Sequence, residues 1–245
     1  MKMIKLFLAL FFANSLVAED LIVGTSVDNV PFEYIQMDFL DGTIKYSGFE
    51  MDLLDEVMKR SGYTYTIEKF DHNELIPALK AKKINLIANS MNITPEHEAL
   101  LDFTVPFFIV NHSFLKRTDD TTIKTKDDLN GKTICVQKGS LQEVDAKNIP
   151  NAKILASSNY TDLVKNLNEK TADVIMIESS VAHVITSENN NTTEFYKEPD
   201  MSLGIAFALD KNSTGDILPK IDNAIGDIIN DGTFDKLLEK HKMQL

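Results

Sequence analysis

Polar side chains follow an apolar run of the chain, at the point where a buried strand is predicted to end. The run 84–88 (INLIA) is followed by three polar side chains, Asn89, Ser90 and Asn92. The next segment, Thr94-Pro95-Glu96, has the pattern of a helix start, with threonine as N-cap and proline at the first helical position. His97 comes directly after it. Polar groups at a strand end face solvent or a cleft, so these residues are candidates for binding a small polar molecule.

The length and charge of the chain limit its possible partners. It has 245 residues, of which 43% are hydrophobic, enough for one large domain or two small ones. Its formal net charge is -12 at pH 7. Such an acidic chain is a poor candidate for binding nucleic acid or an anionic membrane surface, so we expect neither partner.

The N-terminus has the pattern of a secretory signal peptide. Lysines at positions 2 and 5 precede an apolar run that ends at Ala18, and the acidic pair Glu19-Asp20 follows. We assign residues 1–18 to a signal peptide and expect a periplasmic protein that begins at or near Glu19. No cysteine follows the apolar run, so we expect no lipid anchor. The single cysteine, Cys135, lies in an apolar segment and is expected to be a buried strand residue.

Strand and helix patterns alternate along the chain in two similar series. In the first, "DLIVGTSV", "YTYTIEKF" and "INLIANS" read as strands, and "GFEMDLLDEVMKRSGY" and "HNELIPALKAKK" read as helices. The second series repeats this order after "DFTVPFFIVNHSFLKR", and a polar loop is expected at 187–193. This alternation predicts an α/β fold with mainly parallel sheets flanked by helices. Two series and a C-terminal remainder favour two lobes with a ligand cleft between them.

The order of motifs resembles that of the periplasmic solute-binding proteins of polar-amino-acid ABC transporters, family 3 of the bacterial extracellular solute-binding proteins. The motifs that carry the resemblance are "VGTSVDNVPFEY", "YSGFEMDLLDEVMKRSGY", "LIPALKAKKINLIA", "NITPE", "LDFTVPFF", "DLNGKTICVQKGSLQE", "ADVIMIE" and "DGTFDKLLEKH". The resemblance implies the two-lobed type II periplasmic binding protein fold. It places lobe 1 at 19–108 and 205–245, lobe 2 at 113–200, and two hinge crossings at 109–112 and 201–204.

The same resemblance implies a function. A monomeric receptor without a cofactor closes on a small polar solute, such as an amino acid, and delivers it to an ABC permease. The family usually places an arginine after the Thr-Pro-Glu segment, where its guanidinium holds the ligand α-carboxylate. This chain has His97 there, which offers an anion a charge only when protonated. Two positions where the family tends to have aromatic side chains hold Asn29 and His72.

Other implied ligand positions keep polar groups. In lobe 1 they are Asn89, Ser90 and Asn92. In lobe 2, Ser140, Leu141 and Gln142 follow a glycine at a strand-to-helix turn whose amides suit an anion, and Leu141 can offer only its amide. Glu178 matches the acidic residue that pairs with the ligand ammonium, with one methylene more than the usual aspartate.

Each position also has a structural alternative. The three polar residues of lobe 1 could satisfy turn amides, His97 could be an exposed residue of a first helical turn, His72 could flank the following helix, and Glu178 could cap one. Three other functions stay open. A cyclohexadienyl-dehydratase-like enzyme would use Glu178 as proton donor. A metal site would combine His72, His97 and Glu178, without the close spacing typical of such sites. A sensor or scaffold lobe is the third.

Two asparagines match an acidic form of the N-glycosylation pattern. An acid stands two residues before Asn190 in "ENNNT" and before Asn212 in "DKNST", both in expected surface loops. Such matches arise by chance in an asparagine-rich chain, so unmodified asparagine is favoured at both positions.

Overall fold

The computed structural model describes residues 20–38, 42–211, 213 and 215–243. The predicted signal peptide and Asn212 lie outside the described residues. The strands are β1 (Asp20–Thr25), β2 (Asp28–Asn29), β3 (Glu33–Met37), β4 (Ile44–Ser47), β5 (Thr64–Lys69), β6 (Leu86–Asn92), β7 (Leu101–Phe103), β8 (Asn111–Arg117), β9 (Thr133–Gln137), β10 (Lys153–Ser157), β11 (Val174–Glu178), β12 (Thr192–Pro199) and β13 (Ile205–Asp210). The helices are α1 (Phe49–Ser61), α2 (Leu75–Lys80), α3 (Pro95–Glu98), α4 (Leu141–Ala146), α5 (Tyr160–Asn168), α6 (Ser179–Glu188), α7 (Ile217–Asn230) and α8 (Thr233–Lys240).

Two five-stranded sheets form the centres of two lobes. The sheet of the first lobe has the order β5-β1-β6-β13-β7. Its strands β5, β1 and β6 are parallel, and β13 is antiparallel to both of its neighbours. The sheet of the second lobe has the order β10-β9-β11-β8-β12, and β8 is antiparallel to both of its neighbours. Each sheet is therefore mainly parallel, as predicted, with one reversed strand.

The reversed strands mark where the chain passes between lobes. Strand β8 is the first strand of the second lobe, and β13 is the first strand after the chain returns to the first lobe. Helices α7 and α8 then pack with α1 in one core, where the Phe49 and Phe234 rings lie 5.4 Å apart edge to face. The buried residues of α7, Ile221, Ala224, Ile225 and Ile228, recur at helical spacing. The C-terminal helices thus complete the first lobe.

Some local structure differs from the sequence-based expectation. A three-stranded sheet, β2-β3-β4, covers much of residues 28–47 and was not predicted from the sequence. The helix expected in "HNELIPALKAKK" begins as a 3-10 turn at His72–Glu74, and α2 ends at Lys80. The polar loop expected at 187–193 is shorter, since α6 continues to Glu188 and β12 begins at Thr192.

One further expectation concerns the single cysteine of the chain. Cys135 is a buried strand residue, as predicted, and burial raises the pKa of its thiol. Within the described ranges, no helix has the length and apolar character needed to cross a membrane.

Candidate functional site

The strands of both lobes end with polar residues at the cleft between the lobes. In the first lobe, β6 ends in the sequence Asn89 to Asn92, all of it buried. In the second lobe, β9 ends at Gln137 and β11 ends at Glu178, and both side chains are buried. Ligands of α/β proteins bind at the carboxyl ends of parallel strands, so this cleft is the candidate site.

Asn89 uses its side chain within the first lobe. Its Oδ1 atom accepts a hydrogen bond from the backbone N–H of Ser26. This bond fixes the orientation of the amide, so Nδ2 is the donor toward His72 Nδ1 at 2.9 Å. Asn89 therefore positions His72.

Ser90 lies between two buried carboxyl groups. Its backbone φ of 48° is in the left-handed region. Its backbone N–H and its hydroxyl group both donate toward Glu50 Oε2, at 2.7 and 2.9 Å. The same hydroxyl lies 3.0 Å from Glu33 Oε2. A hydroxyl has one hydrogen, so it can donate to only one of the two carboxyl groups at a time.

Asn92 joins the end of β6 to Asp200, the residue that follows β12. Its Nδ2 atom donates to Asp200 Oδ2 at 2.8 Å. Its carbonyl oxygen accepts from His97 Nδ1 at 2.8 Å. Because a carbonyl oxygen only accepts, Nδ1 of His97 carries the hydrogen. The other ring nitrogen of His97 can then donate to an anion only when the ring is protonated. Thr94 is the predicted N-cap, since its hydroxyl accepts from the His97 backbone N–H at 3.1 Å.

His72 connects the two lobes. Its Nδ1 atom accepts from Asn89, so its other ring nitrogen carries the hydrogen in the neutral form. That ring donates to the backbone carbonyl of Gly139 in the second lobe. Burial and, to a smaller extent, the neighbouring His97 lower the pKa of His72 to about 4. His72 is therefore neutral near pH 7.

Two more hydrogen bonds cross the cleft. The side chain of Asn29, at the end of β2, bonds to Glu178 at the end of β11. The carboxylate of Asp28 accepts from the backbone N–H of Tyr160 at the start of α5. Together with the His72 bond, these contacts bring groups of the two lobes next to each other across the cleft. Glu178 occupies the N-cap position of α6 but makes no side-chain capping bond. Its carboxyl group lies at the cleft instead.

The turn after β9 uses its predicted residues in different ways. Ser140 caps α4, because its hydroxyl accepts from the Glu143 backbone N–H at 3.2 Å. Gln142 is buried, and its Nε2 atom lies 3.4 Å from His112 Nδ1. Leu141 lines a cavity of about 480 Å³, together with Thr94 and Pro95 from the first lobe.

Five residues of the cleft were missed in the sequence analysis: Asp28, Glu33, Glu50, Gln137 and Tyr160. Glu33 and Glu50 lie within the motifs "VPFEY" and "SGFEM", next to buried phenylalanines. The available signal was an acidic residue within a segment that has the pattern of a buried core. Because an ionised carboxylate is costly to bury, such a residue indicates a special role. Gln137 is 3% exposed, and its Nε2 atom has no hydrogen-bond partner in the described part of the chain.

The buried glutamates of the cleft have raised pKa values. Burial raises the pKa of Glu33 well above its usual range, and the charges of Glu50 and Glu178 raise it further. Burial likewise raises the pKa of Glu50 to about 7 and that of Glu178 to about 8. Near neutral pH these carboxyl groups therefore lose their protons less readily than ordinary glutamates do.

The alternative reading of His72, His97 and Glu178 as a metal site finds no support among the described residues. Among the described residues, no group of three or more histidine, cysteine, aspartate and glutamate side chains is placed to hold a metal ion. His72 has both ring nitrogens bonded to protein partners, which removes it from the set His72, His97 and Glu178.

Known proteins that are similar to this chain are solute-binding proteins. The model of the family "Bacterial extracellular solute-binding proteins, family 3" matches residues 21–244. A "Probable histidine-binding protein" of Campylobacter jejuni is 34% identical over 91% of this chain and 84% of its own. The "Arginine-binding extracellular protein ArtP" of Bacillus subtilis is 31% identical over 90% of this chain and 85% of its own. The crystal structure titled as the substrate binding protein of an amino acid ABC transporter has a TM-score of 0.84 and 29% identity, covering 90% of this chain and 98% of that one.

Proposed function

The chain belongs to family 3 of the bacterial extracellular solute-binding proteins, and we propose that its cleft binds one small, amino-acid-like solute between the two lobes. The protein is a solute receptor of an ABC transporter for polar amino acids. The dehydratase alternative is less supported, because the two relatives described above are named as binding proteins.

The closed contact between the lobes is the observation that supports this proposal. Groups from the first lobe meet groups from the second at four places: Asp28 with Tyr160, Asn29 with Glu178, His72 with Gly139, and Asn92 with Asp200. A solute that bonds to both sides binds the closed form better than an open form. It therefore stabilises the closed form by the difference in binding free energy.

We assign roles to the residues of the cleft on this basis. Glu178 receives the ligand ammonium, Asn29 and His72 flank the ligand side chain, and His97 lies where an α-carboxylate would be held. The backbone amides of Leu141 and Gln142, which follow Ser140 at the start of α4, supply further donors to the ligand. Asn89, Ser90 and Asn92 form the wall of the cleft in the first lobe.

The proposal includes the organisation of the chain. Lobe 1 comprises 19–108 and 205–245, lobe 2 comprises 113–200, and the chain bends at 109–112 and 201–204. The receptor acts as a monomer in the periplasm, without a lipid anchor, after removal of residues 1–18. The intact mass of the exported protein tests the N-terminus.

A thermal-shift panel tests the binding function. The purified mature protein is heated with single amino acids, dipeptides and small organic acids, because a ligand of the native state raises the melting midpoint. Histidine and arginine belong in the panel, since two relatives are named for binding them. We expect at least one polar amino acid to raise the midpoint with saturation at one molecule per chain. The absence of any stabilising compound would contradict the proposal.

A further inference from the structure

Helix α4 carries two polar residues, three positions apart, that both contact one buried histidine of the central sheet. Gln142 and Asp145 lie on the same side of the helix, because residues three apart in a helix are neighbours. His112 Nε2 lies 2.7 Å from Asp145 Oδ2, and His112 Nδ1 lies 3.4 Å from Gln142 Nε2. His112 and Gln142 are both buried. One imidazole ring therefore connects the first turn of α4 to the next.

The hydrogen bonds of this group run in one direction. A carboxylate only accepts, so the ring nitrogen that faces Asp145 donates. In a neutral imidazole the other nitrogen then accepts, and it faces Gln142 Nε2, which only donates. We call Asp145, His112 and Gln142 the α4 network. Without the acid at its end, neither the ring nor the amide would have a fixed orientation.

The α4 network lies beside a residue that we assign to the solute. In the sheet of the second lobe, His112 of β8 is in register with Glu178 of β11. Residues in register project from the same face of a sheet, so these two side chains are neighbours. His112, Asp145 and Leu141 also line the cavity of about 480 Å³ that reaches the first lobe. The network therefore joins the turn assigned to the solute with the strand on which the polypeptide enters the second lobe.

Helix α4 needs such support because it is short. It has six residues, and an isolated helix of that length is marginal in water. Ser140 caps its start, and Ala146 is buried at its end. The backbone amides of Leu141 and Gln142 belong to its first turn. Their position relative to the solute therefore depends on the bonds that the Gln142 side chain makes.

We propose that Asp145 and His112 are positioning residues for solute binding, which hold Gln142 and with it the first turn of α4 in place. This inference rests on the proposed receptor function and extends it to two residues that act through another. The competing explanation is that the Asp145–His112 pair stabilises the second lobe without any effect on the solute. The two explanations predict different effects on affinity.

Variants at Asp145 test the α4 network, because replacing the buried His112 risks the fold of the lobe. D145A removes the acceptor of the His112 N–H group, and we expect it to weaken solute binding about fivefold, as for one lost hydrogen bond. D145N keeps an oxygen acceptor and should bind close to wild type. D119A is the matched control, since Asp119 pairs with Arg117 at the other end of β8 and its substitution removes the same charge. It should keep the wild-type affinity.

A double-variant cycle shows whether Asp145 acts through Gln142. Q142A should itself weaken binding. Adding D145A to Q142A should change the affinity by less than about twofold, because the side chain that Asp145 holds in place is already absent. Calorimetry measures the affinities for L-histidine and L-arginine, for which two relatives are named, and for any other amino acid that stabilises the protein in the panel. Thermal melting of each ligand-free variant measures stability separately.

Each outcome decides between the explanations. Wild-type affinity in D145A, or an equal loss in D119A, would overturn the inference and leave the receptor function standing. The same holds if D145N loses as much affinity as D145A, or if D145A weakens binding by the same factor with and without the Gln142 side chain. If no compound of the panel binds, the receptor function fails and this inference fails with it.

Discussion

Glu178 and Asn29 form a direct side-chain bridge between the lobes, and Glu178 is the residue we assign to the ligand ammonium. Replacing Glu178 with glutamine keeps an acceptor for the Asn29 amide but removes the charge. We expect the affinity for an ammonium-bearing solute to fall about tenfold or more, as for loss of a charged hydrogen-bond partner. Titration calorimetry measures this, with E169Q, an exposed change in the same lobe, as control. Wild-type affinity in E178Q would contradict the assignment.

His97 allows a test of the carboxylate position. Its Nδ1 atom is bonded to the Asn92 carbonyl, so an anionic ligand group needs the other, protonated nitrogen. If His97 holds a carboxylate, H97A should weaken arginine several-fold and leave agmatine, which lacks the carboxylate, unchanged. H97R should restore or improve arginine binding. Equal effects on both ligands would show that His97 does not contact a carboxylate.

The sequence identifies residues of the cleft better than it identifies the hydrogen-bond partners of their side chains. Asn89, Ser90 and Asn92 were predicted because they follow an apolar strand. The structure adds that their side-chain donors bond to His72, to the Glu33 and Glu50 carboxyl groups and to Asp200. Those partners lie 17 to 108 residues away in sequence, so no local pattern identifies them.

At the scale of elements, the turn from β9 to α4 determines how closely the lobes approach. Gly139 has φ +81°, and a Cβ atom there would lie 3.0 Å from Asn73 Cβ and 3.2 Å from Asn73 Cα in the other lobe. Gly131 has a similar φ of +76° but no atom within 4 Å of such a Cβ. Both glycine-to-alanine variants should lose about 1 kcal/mol of stability from backbone strain.

Only one of these variants should affect binding. We expect G139A to reduce ligand affinity, because its methyl group blocks the closed approach to Asn73, while G131A binds like wild type. Calorimetry for affinity and thermal melting for stability separate the two effects. Equal affinities in G139A and G131A would mean that the cleft need not close at Gly139.

The elements themselves were largely predictable, because apolar periodicity and the glycine stops mark α1 and the strands of both sheets. The small sheet β2-β3-β4 was not, since its strands are two to five residues long and too short to show a period. It nevertheless supplies Asn29 and Glu33 to the cleft. Short strands are stabilised by packing, here Phe32 against Phe49 and Phe108, rather than by local preference.

For the whole molecule, the buried carboxyl groups predict an unusual dependence of stability on pH. Folding raises the pKa of Glu50 from 4.5 to about 7 and that of Glu178 from 4.5 to about 8. Between these values the folded form binds more protons than the unfolded chain, so stability falls as pH rises. His72, whose pKa is lowered to about 4, has the opposite effect, but only below its usual value of about 6.5.

The melting midpoint of the ligand-free protein should therefore decrease between about pH 6.5 and 8.5, a range above the usual histidine pKa. E50Q should flatten this slope, and E68Q, an exposed change on β5 in the same lobe, should keep it. Melting curves across the range provide the measurement. A midpoint that stays constant or rises with pH would show that these carboxyl groups are ionised in the folded protein.

In the whole molecule, we expect one solute to bind both lobes at once. Hydrogen–deuterium exchange with and without a saturating ligand from the panel tests this claim most directly. We predict slower exchange at two separate segments, residues 89–92 of the first lobe and residues 139–142 of the second, in a complex of one ligand per chain. Protection confined to one lobe, or located away from both segments, would contradict it.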